Sequence, residues 1–179
     1  MHPDLSDILL SEEELSFRVT ELGRELAKEY ADKEPLVVAT LKGSTIFMSD
    51  LVRCMQPVPP NMRLEFIRAS SYGSGTTTSG QVSITMSTLS DDDIKGRHIL
   101  LVEDIVDSGL TGQALTAYFQ QHSPASVKLV SLLSKPSRRE VPFEPDWLAF
   151  EIEDKFVVGY GLDYDQHYRS LPYIGVMKS

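Results

Sequence analysis

The densest chemical signal lies in residues 99–112. An apolar run, Ile99-Leu100-Leu101-Val102, leads straight into Glu103 and Asp104. Then come Ile105-Val106 and Asp107-Ser108-Gly109-Leu110-Thr111. If the apolar run is a buried strand of an open α/β sheet, its carboxyl end is where ligands bind. Two adjacent carboxylates there suit a hard metal ion or sugar hydroxyls. The turn from Asp107 to Thr111 enters a helix. Its backbone N–H groups, with the Ser108 and Thr111 hydroxyls, could cradle a phosphate on the positive end of the helix dipole. Gly109 would allow close backbone approach. A competing reading makes this an acidic loop with Asp107 as a helix cap.

Other patterns say what must position these groups. Ser11 and Glu14 form a capping box for an amphipathic helix over 11–31, with Leu15, Val19, Leu22 and Leu26 on one face. Leu36–Leu41 is apolar throughout and reads as a strand buried on both faces, hence part of a parallel sheet. Lys42-Gly43-Ser44 is a turn into a helix over 45–55. Strands are expected at 63–67, 81–86, 98–102, 127–133, 147–152 and 156–158, and a third helix over 111–122. Residues 70–80 contain no aliphatic side chain and three glycines, which reads as a long functional loop. Asp91-Asp92-Asp93 reads as a solvated turn. Strands alternating with helices give one α/β domain over residues 1–179 with a mostly parallel sheet.

Composition narrows the function. The chain has 179 residues, with 17 Lys plus Arg against 26 Asp plus Glu, a formal net charge of −9. That balance argues against a general nucleic-acid or anionic-membrane binder. Cys54 is the single cysteine, so no intrachain disulfide or cysteine metal cluster can form, and it reads as core filler. His2, His98, His122 and His167 lack metal-ligand spacing. The opening Met1-His2-Pro3-Asp4 carries no signal-peptide pattern, and no apolar run reaches membrane-spanning length, so a cytoplasmic protein is expected. There is no G-x-S-x-G, no G-K-T loop and no H-E-x-x-H.

Glu103-Asp104-Ile105-Val106-Asp107-Ser108-Gly109-Leu110-Thr111 resembles the phosphoribosyl-pyrophosphate motif of the type I phosphoribosyltransferases. The likeness extends to Leu41–Ser44, Ser70–Gly73, Leu132–Arg139, Phe156–Tyr164 and Arg169. Together these segments resemble the bacterial hypoxanthine-guanine phosphoribosyltransferases over essentially the whole chain. The resemblance implies the type I fold: a twisted, mostly parallel sheet flanked by helices, a small hood and a mobile lid loop. It also implies transfer of phosphoribosyl from phosphoribosyl pyrophosphate to hypoxanthine and guanine in purine salvage, with Mg²⁺.

By the same resemblance, Glu103, Asp104, Asp107, Ser108, Gly109, Leu110 and Thr111 take the donor and its 5-phosphate, with Asp107 also the candidate general base. Lys42, Gly43 and Arg169 take pyrophosphate. Lys135, Phe156, Val157 and Asp163 take the purine. Lys135 would donate to the exocyclic oxygen at purine C6 and so reject adenine, whose amino group would face another donor. Ser71 and Tyr72 belong to the lid, and Glu103, Asp104 and Asp163 would be the metal ligands. A non-proline cis peptide at Leu41–Lys42 and a homodimer or homotetramer are implied as well. The alternative class is a regulator that uses this fold to bind phosphoribosyl pyrophosphate or RNA without catalysis. Within the enzyme class, xanthine- or adenine-preferring enzymes are the runners-up.

Overall fold

The three longest apolar strands in the sequence sit side by side. In a computed structural model describing residues 1–71, 82–87 and 89–178, β2 (Pro35–Thr40), β5 (His98–Val106) and β6 (Ser126–Ser134) form the middle of a six-stranded sheet of order β4-β3-β2-β5-β6-β7. β3 (Arg63–Ser71) and β7 (Trp147–Glu151) extend it in parallel. β4 (Val82–Ser87) closes one edge antiparallel to β3.

Both faces of the central strands are buried, which is why their sequences show no polar alternation. Val37, Ala39, Leu100 and Val102 meet α1 (Glu12–Glu29) and α2 (Thr45–Cys54) on one face. Leu36, Val38, Ile99 and Leu101 meet α4 (Leu110–Gln120) on the other. The α1 capping box is present: Glu14 N–H donates to Ser11 Oγ at 3.2 Å, and Ser11 N–H to the Glu14 carboxylate at 2.8 Å. No helix among the described residues is long and apolar enough to cross a membrane.

Several expectations need adjustment. Asp91–Ile94 is one helical turn, α3, rather than an open turn. Ser90 donates to the Asp93 carboxylate through both its N–H and its hydroxyl, and with Arg63 this pulls that carboxyl down to about 2. Cys54 is half-buried where α1 meets α2, with Sγ 3.8 Å from Thr20 Oγ1, instead of filling the core. β5 runs on to Val106, so Glu103 and Asp104 are strand residues. β8 (Val157–Val158) begins after Phe156, outside the main sheet. It joins β1 (Leu5–Leu10) and β9 (Ile174–Met177) in a small three-stranded antiparallel sheet of order β1-β9-β8, the hood. Ser71 ends β3. Tyr72 and almost all of the expected lid lie outside the described residues.

The chain order creates the site. From β2 the path runs outward to β3 on one side, then returns across β2 to place β5 on its other side. Neighbouring parallel strands whose connections depart in opposite directions leave a crevice at their carboxyl ends. That crevice opens between β2 and β5.

Candidate active site

Two loops flank the crevice. After β2 comes Leu41–Ser44, with a cis Leu41–Lys42 peptide as the resemblance implies. After β5 comes Asp107-Ser108-Gly109, where Gly109 has φ +86° and caps α4. Only a glycine holds that backbone readily. The cap position thus falls to Gly109, not Asp107.

Glu103 is buried at 6% exposure, low in the crevice. Thr40 donates its hydroxyl to Glu103 Oε2 at 2.6 Å, and Ser44 donates its own to the Thr40 carbonyl at 2.6 Å. Glu103 Oε1 is buried without a hydrogen-bond partner. Burial and the adjacent Asp104 charge push the Glu103 carboxyl well above the usual range. Burial raises Asp104 too, against the N–H of Ile105, which donates at 2.9 Å, and the charge of Arg169. Asp104 Oδ2 lies flush on the Gly43 backbone, so an added Cβ at 43 would overlap it. A Cβ on Gly161 would in turn overlap the Gly43 carbonyl. Strand β5, the loop after β2 and the loop after β8 are stacked through these contacts.

Residues 103–109 with Thr111 and Gly112 line a cavity of about 280 Å³. Leu110 is not in its wall; its N–H donates to Ser108 Oγ at 3.3 Å. A neighbouring cavity of about 370 Å³ is lined by Ile105, Asp107, Lys135, Arg138, Asp154, Phe156, Val157, Leu162 and Asp163. Asp107 belongs to both walls, so a ligand spanning the two cavities passes its carboxylate. Phe156 presents a 55% exposed ring to the second cavity. Lys135 is 7% exposed, and its ammonium meets Asp154 Oδ1 at 3.4 Å. Arg138 bridges Asp154 at 3.4 Å and Asp107 Oδ1 at 2.8 Å. The latter contact is off-line for a hydrogen bond and acts as an ion pair.

At the crevice mouth, Lys42 Nζ donates to Gln166 Oε1 at 3.1 Å, and Arg169 reaches the same oxygen at 3.3 Å. Arg169 also pairs with Asp163 at 2.8 Å and donates to the Gly161 carbonyl at 2.7 Å. The two cations expected to serve one anion are therefore already gathered, through a glutamine that sequence reasoning missed. Thr40, Ser44, Asp154, Arg138 and Arg139 were also missed. The tandem arginine after Lys135-Pro136-Ser137 is the one visible signal for the last two.

Glu103, Asp104 and Asp163 do not close into a ready-made metal cage; among the described residues no such group of three forms. The donor set still fits Mg²⁺, which keeps several waters and takes only one or two protein carboxylates beside substrate oxygens. The unpartnered Glu103 Oε1 is a spare donor of the right kind. A further cavity of about 500 Å³ lies between α1, α2 and residues 170–172. It has no phosphate-cradling turn and none of these groups.

The phosphoribosyl transferase domain family matches residues 6–165. The chain is 46% identical to the hypoxanthine-guanine phosphoribosyltransferase of Bacillus subtilis, covering 99% of this chain and 96% of that protein. It is also 46% identical to the bifunctional protein TilS/HprT of Listeria monocytogenes, of whose length it spans only 27%. Among solved structures, a hypoxanthine phosphoribosyltransferase from Staphylococcus aureus superposes with TM-score 0.92 at 40% identity, covering 99% of this chain and 94% of that one.

Proposed function

This chain belongs to the phosphoribosyltransferase family, and from that premise we propose that it transfers the 5-phosphoribosyl group of phosphoribosyl pyrophosphate to hypoxanthine and guanine. The observation that carries the reading is the pair of cavities sharing Asp107: one walled by a phosphate-binding turn, the other by a buried lysine and an aromatic ring. A donor phosphate and a flat base can lie on either side of one carboxylate.

The bond from C1 to the pyrophosphate oxygen breaks, and its electron pair leaves with pyrophosphate. A purine ring nitrogen bonds to C1, and the nucleotide and pyrophosphate are the products. Positive charge builds on the sugar ring as the bond breaks. The turn from Asp107 to Thr111 holds the 5-phosphate. Lys42, Gly43 and Arg169 receive the leaving group. Asp107 takes the purine proton, a role typically worth about 10²–10⁴-fold. Arg138, paired with one carboxylate oxygen, holds Asp107 in place; the side chain is still 40% exposed and accessible to a base.

Lys135 donates to the oxygen at purine C6, Phe156 stacks on the ring, and Val157 offers backbone groups to its edge. Adenine would set an amino donor against the Lys135 ammonium, and a buried polar mismatch discriminates strongly. Glu103, Asp104 and Asp163 would hold Mg²⁺, which when bound offsets the charge of the pyrophosphate beside these carboxylates. A walled base cavity is of no use to a regulator that binds only the phosphoribosyl donor.

The test is turnover of hypoxanthine, guanine, xanthine and adenine, each with phosphoribosyl pyrophosphate and Mg²⁺, followed by absorbance. Formation of IMP and GMP, none of AMP, and loss with a chelator are expected. Donor binding without turnover of any purine would replace this reading by the regulator.

A further inference from the structure

Arg139 lines neither of the two cavities to which the reaction has been assigned, yet it is the most heavily bonded cation near the site. Its side chain is 11% exposed. One terminal nitrogen donates to the Val106 carbonyl at 2.7 Å and the Asp107 carbonyl at 2.6 Å. The other donates to Ser134 Oγ at 2.8 Å and meets Glu144 at 3.0 Å, and Nε donates to the Phe143 carbonyl at 2.8 Å. The next carbonyl of the loop, Ser108, accepts from the N–H groups of Glu140 at 2.9 Å and Val141 at 3.3 Å.

Three consecutive peptide carbonyls, of Val106, Asp107 and Ser108, thus all bond to the segment 139–141, and the Val106 carbonyl accepts from the Lys135 N–H at 3.0 Å as well. A trans peptide is planar, with its N–H pointing opposite to its C=O. Fixing these carbonyls therefore fixes the N–H groups of Asp107, Ser108 and Gly109 in the opposite direction. None of those three donates to an acceptor among the described residues. All three residues line the cavity of about 280 Å³. Convergent backbone N–H groups of this kind form an anion-binding nest.

We propose that Arg139 is a positioning residue for the phosphate-binding loop. Its guanidinium alone holds the Asp107 carbonyl back and reinforces that of Val106, so that the loop's N–H groups stand ready for a 5-phosphate before the substrate arrives. This rests on the assignment of the 107–111 turn to the 5-phosphate. A planar fork is needed, because a single ammonium cannot span both carbonyls and Ser134 at once. Loss of the fork frees the Asp107–Ser108 peptide plane, whose carbonyl accepts from no other donor among the described residues, while the Val106 and Ser108 carbonyls keep their backbone partners; the cost falls on ligands that carry the phosphate.

The experiment compares IMP with inosine, which differ only in the 5-phosphate, by equilibrium binding to wild type and Arg139→Lys. Wild type should bind IMP at least a hundredfold tighter than inosine. R139K should lose tenfold or more of its IMP affinity while inosine stays within twofold. Equal losses for both ligands, as from general loosening of the fold, or an unchanged IMP-to-inosine ratio, would overturn the assignment of Arg139. Absence of any IMP preference in wild type would overturn the phosphate-loop reading itself, and this inference with it. Should R139K not fold, Ser134→Ala removes one anchor only. It should lower IMP affinity about threefold with inosine unchanged, and no change in the ratio would again overturn the role.

Discussion

Asp107 and Lys135 stand in one charged chain with Arg138 and Asp154, and each link makes a distinct demand on kinetics. Asp107→Asn keeps the shape and removes the base, so kcat should fall at least tenfold with the KM values less affected. A kcat within threefold of wild type would show that Asp107 only shapes the loop. Asp154 acts through Lys135. Its carboxylate lies 3.4 Å from both the Lys135 ammonium and the Arg138 guanidinium, so neutralising it leaves two cations facing each other. Asp154→Asn should raise KM for hypoxanthine several-fold while KM for phosphoribosyl pyrophosphate holds. Stability should change by less than about 1 kcal/mol, because the Asp154 side chain is half-exposed and water screens the pair from that side. An unchanged purine KM would remove Asp154 from the base site. Residue types in sequence reveal the ends of this chain better than its links. Lys135 stands out after an apolar strand. Arg138 and Arg139 look alike as a solvated basic pair, yet one reaches over the cavity and the other is buried beneath the loop.

The site at the level of elements depends on close backbone approach between the loops after β2, β5 and β8. Gly43 and Gly161 hold successive places in that stack, and the consequences of filling them differ. At Gly43 the added carbon meets the Asp104 carboxylate, a side chain that can swing aside. Gly43→Ala should therefore leave the fold near wild-type stability and cut kcat/KM tenfold or more, because Asp104 is displaced. At Gly161 the obstacle is the Gly43 backbone itself, and φ is +105°. Gly161→Ala should cost stability as well, about 1–3 kcal/mol from the strained backbone alone. A thermal melt and an assay on both variants separate the two cases, and equal melting temperatures would contradict the stacking.

Elements were legible in proportion to how local their cause is. The α1 capping box and the doubly buried β2, β5 and β6 are written in short windows, and the structure contains all four. The β1–β9 pairing is not. Only Leu5 of β1 is fully buried, the ladder has two register shifts, and its partner lies at the far end of the chain. No two-residue alternation can survive that. The crevice was readable from the carboxylates after an apolar strand, but the hood and Gln166, which complete it, come from that long-range pairing and from a left-handed turn at 165–168.

For the whole molecule, the response to alkaline pH is set by two buried tyrosines that join layers in different ways. Tyr30 wedges α1 against β7, with its ring 6.3 Å from Trp147 and its hydroxyl buried without a partner. Tyr160 links the hood to α2 by donating its hydroxyl to Asp50 at 2.6 Å. Burial is the main cause that pushes both phenols above their ordinary value, and for Tyr160 the Asp50 carboxylate adds to it. The sign of the linkage follows. Below the unfolded value near 10, both states are neutral and the contribution is fully present. Above it the unfolded chain ionises first, so stability falls as pH rises toward the folded values, by about 1.4 kcal/mol per pH unit for each tyrosine. The two phenylalanine variants should then diverge at neutral pH. Tyr30→Phe removes an unsatisfied hydroxyl and should be neutral or stabilising. Tyr160→Phe breaks a charge-assisted hydrogen bond and should cost about 1–2 kcal/mol. Both should flatten the loss of stability between pH 10 and 11, read as Tm or as a denaturant midpoint across that range. If Tyr160→Phe melts with wild type at pH 7, the hood is held to α2 by packing alone and the hydroxyl contributes nothing to that junction.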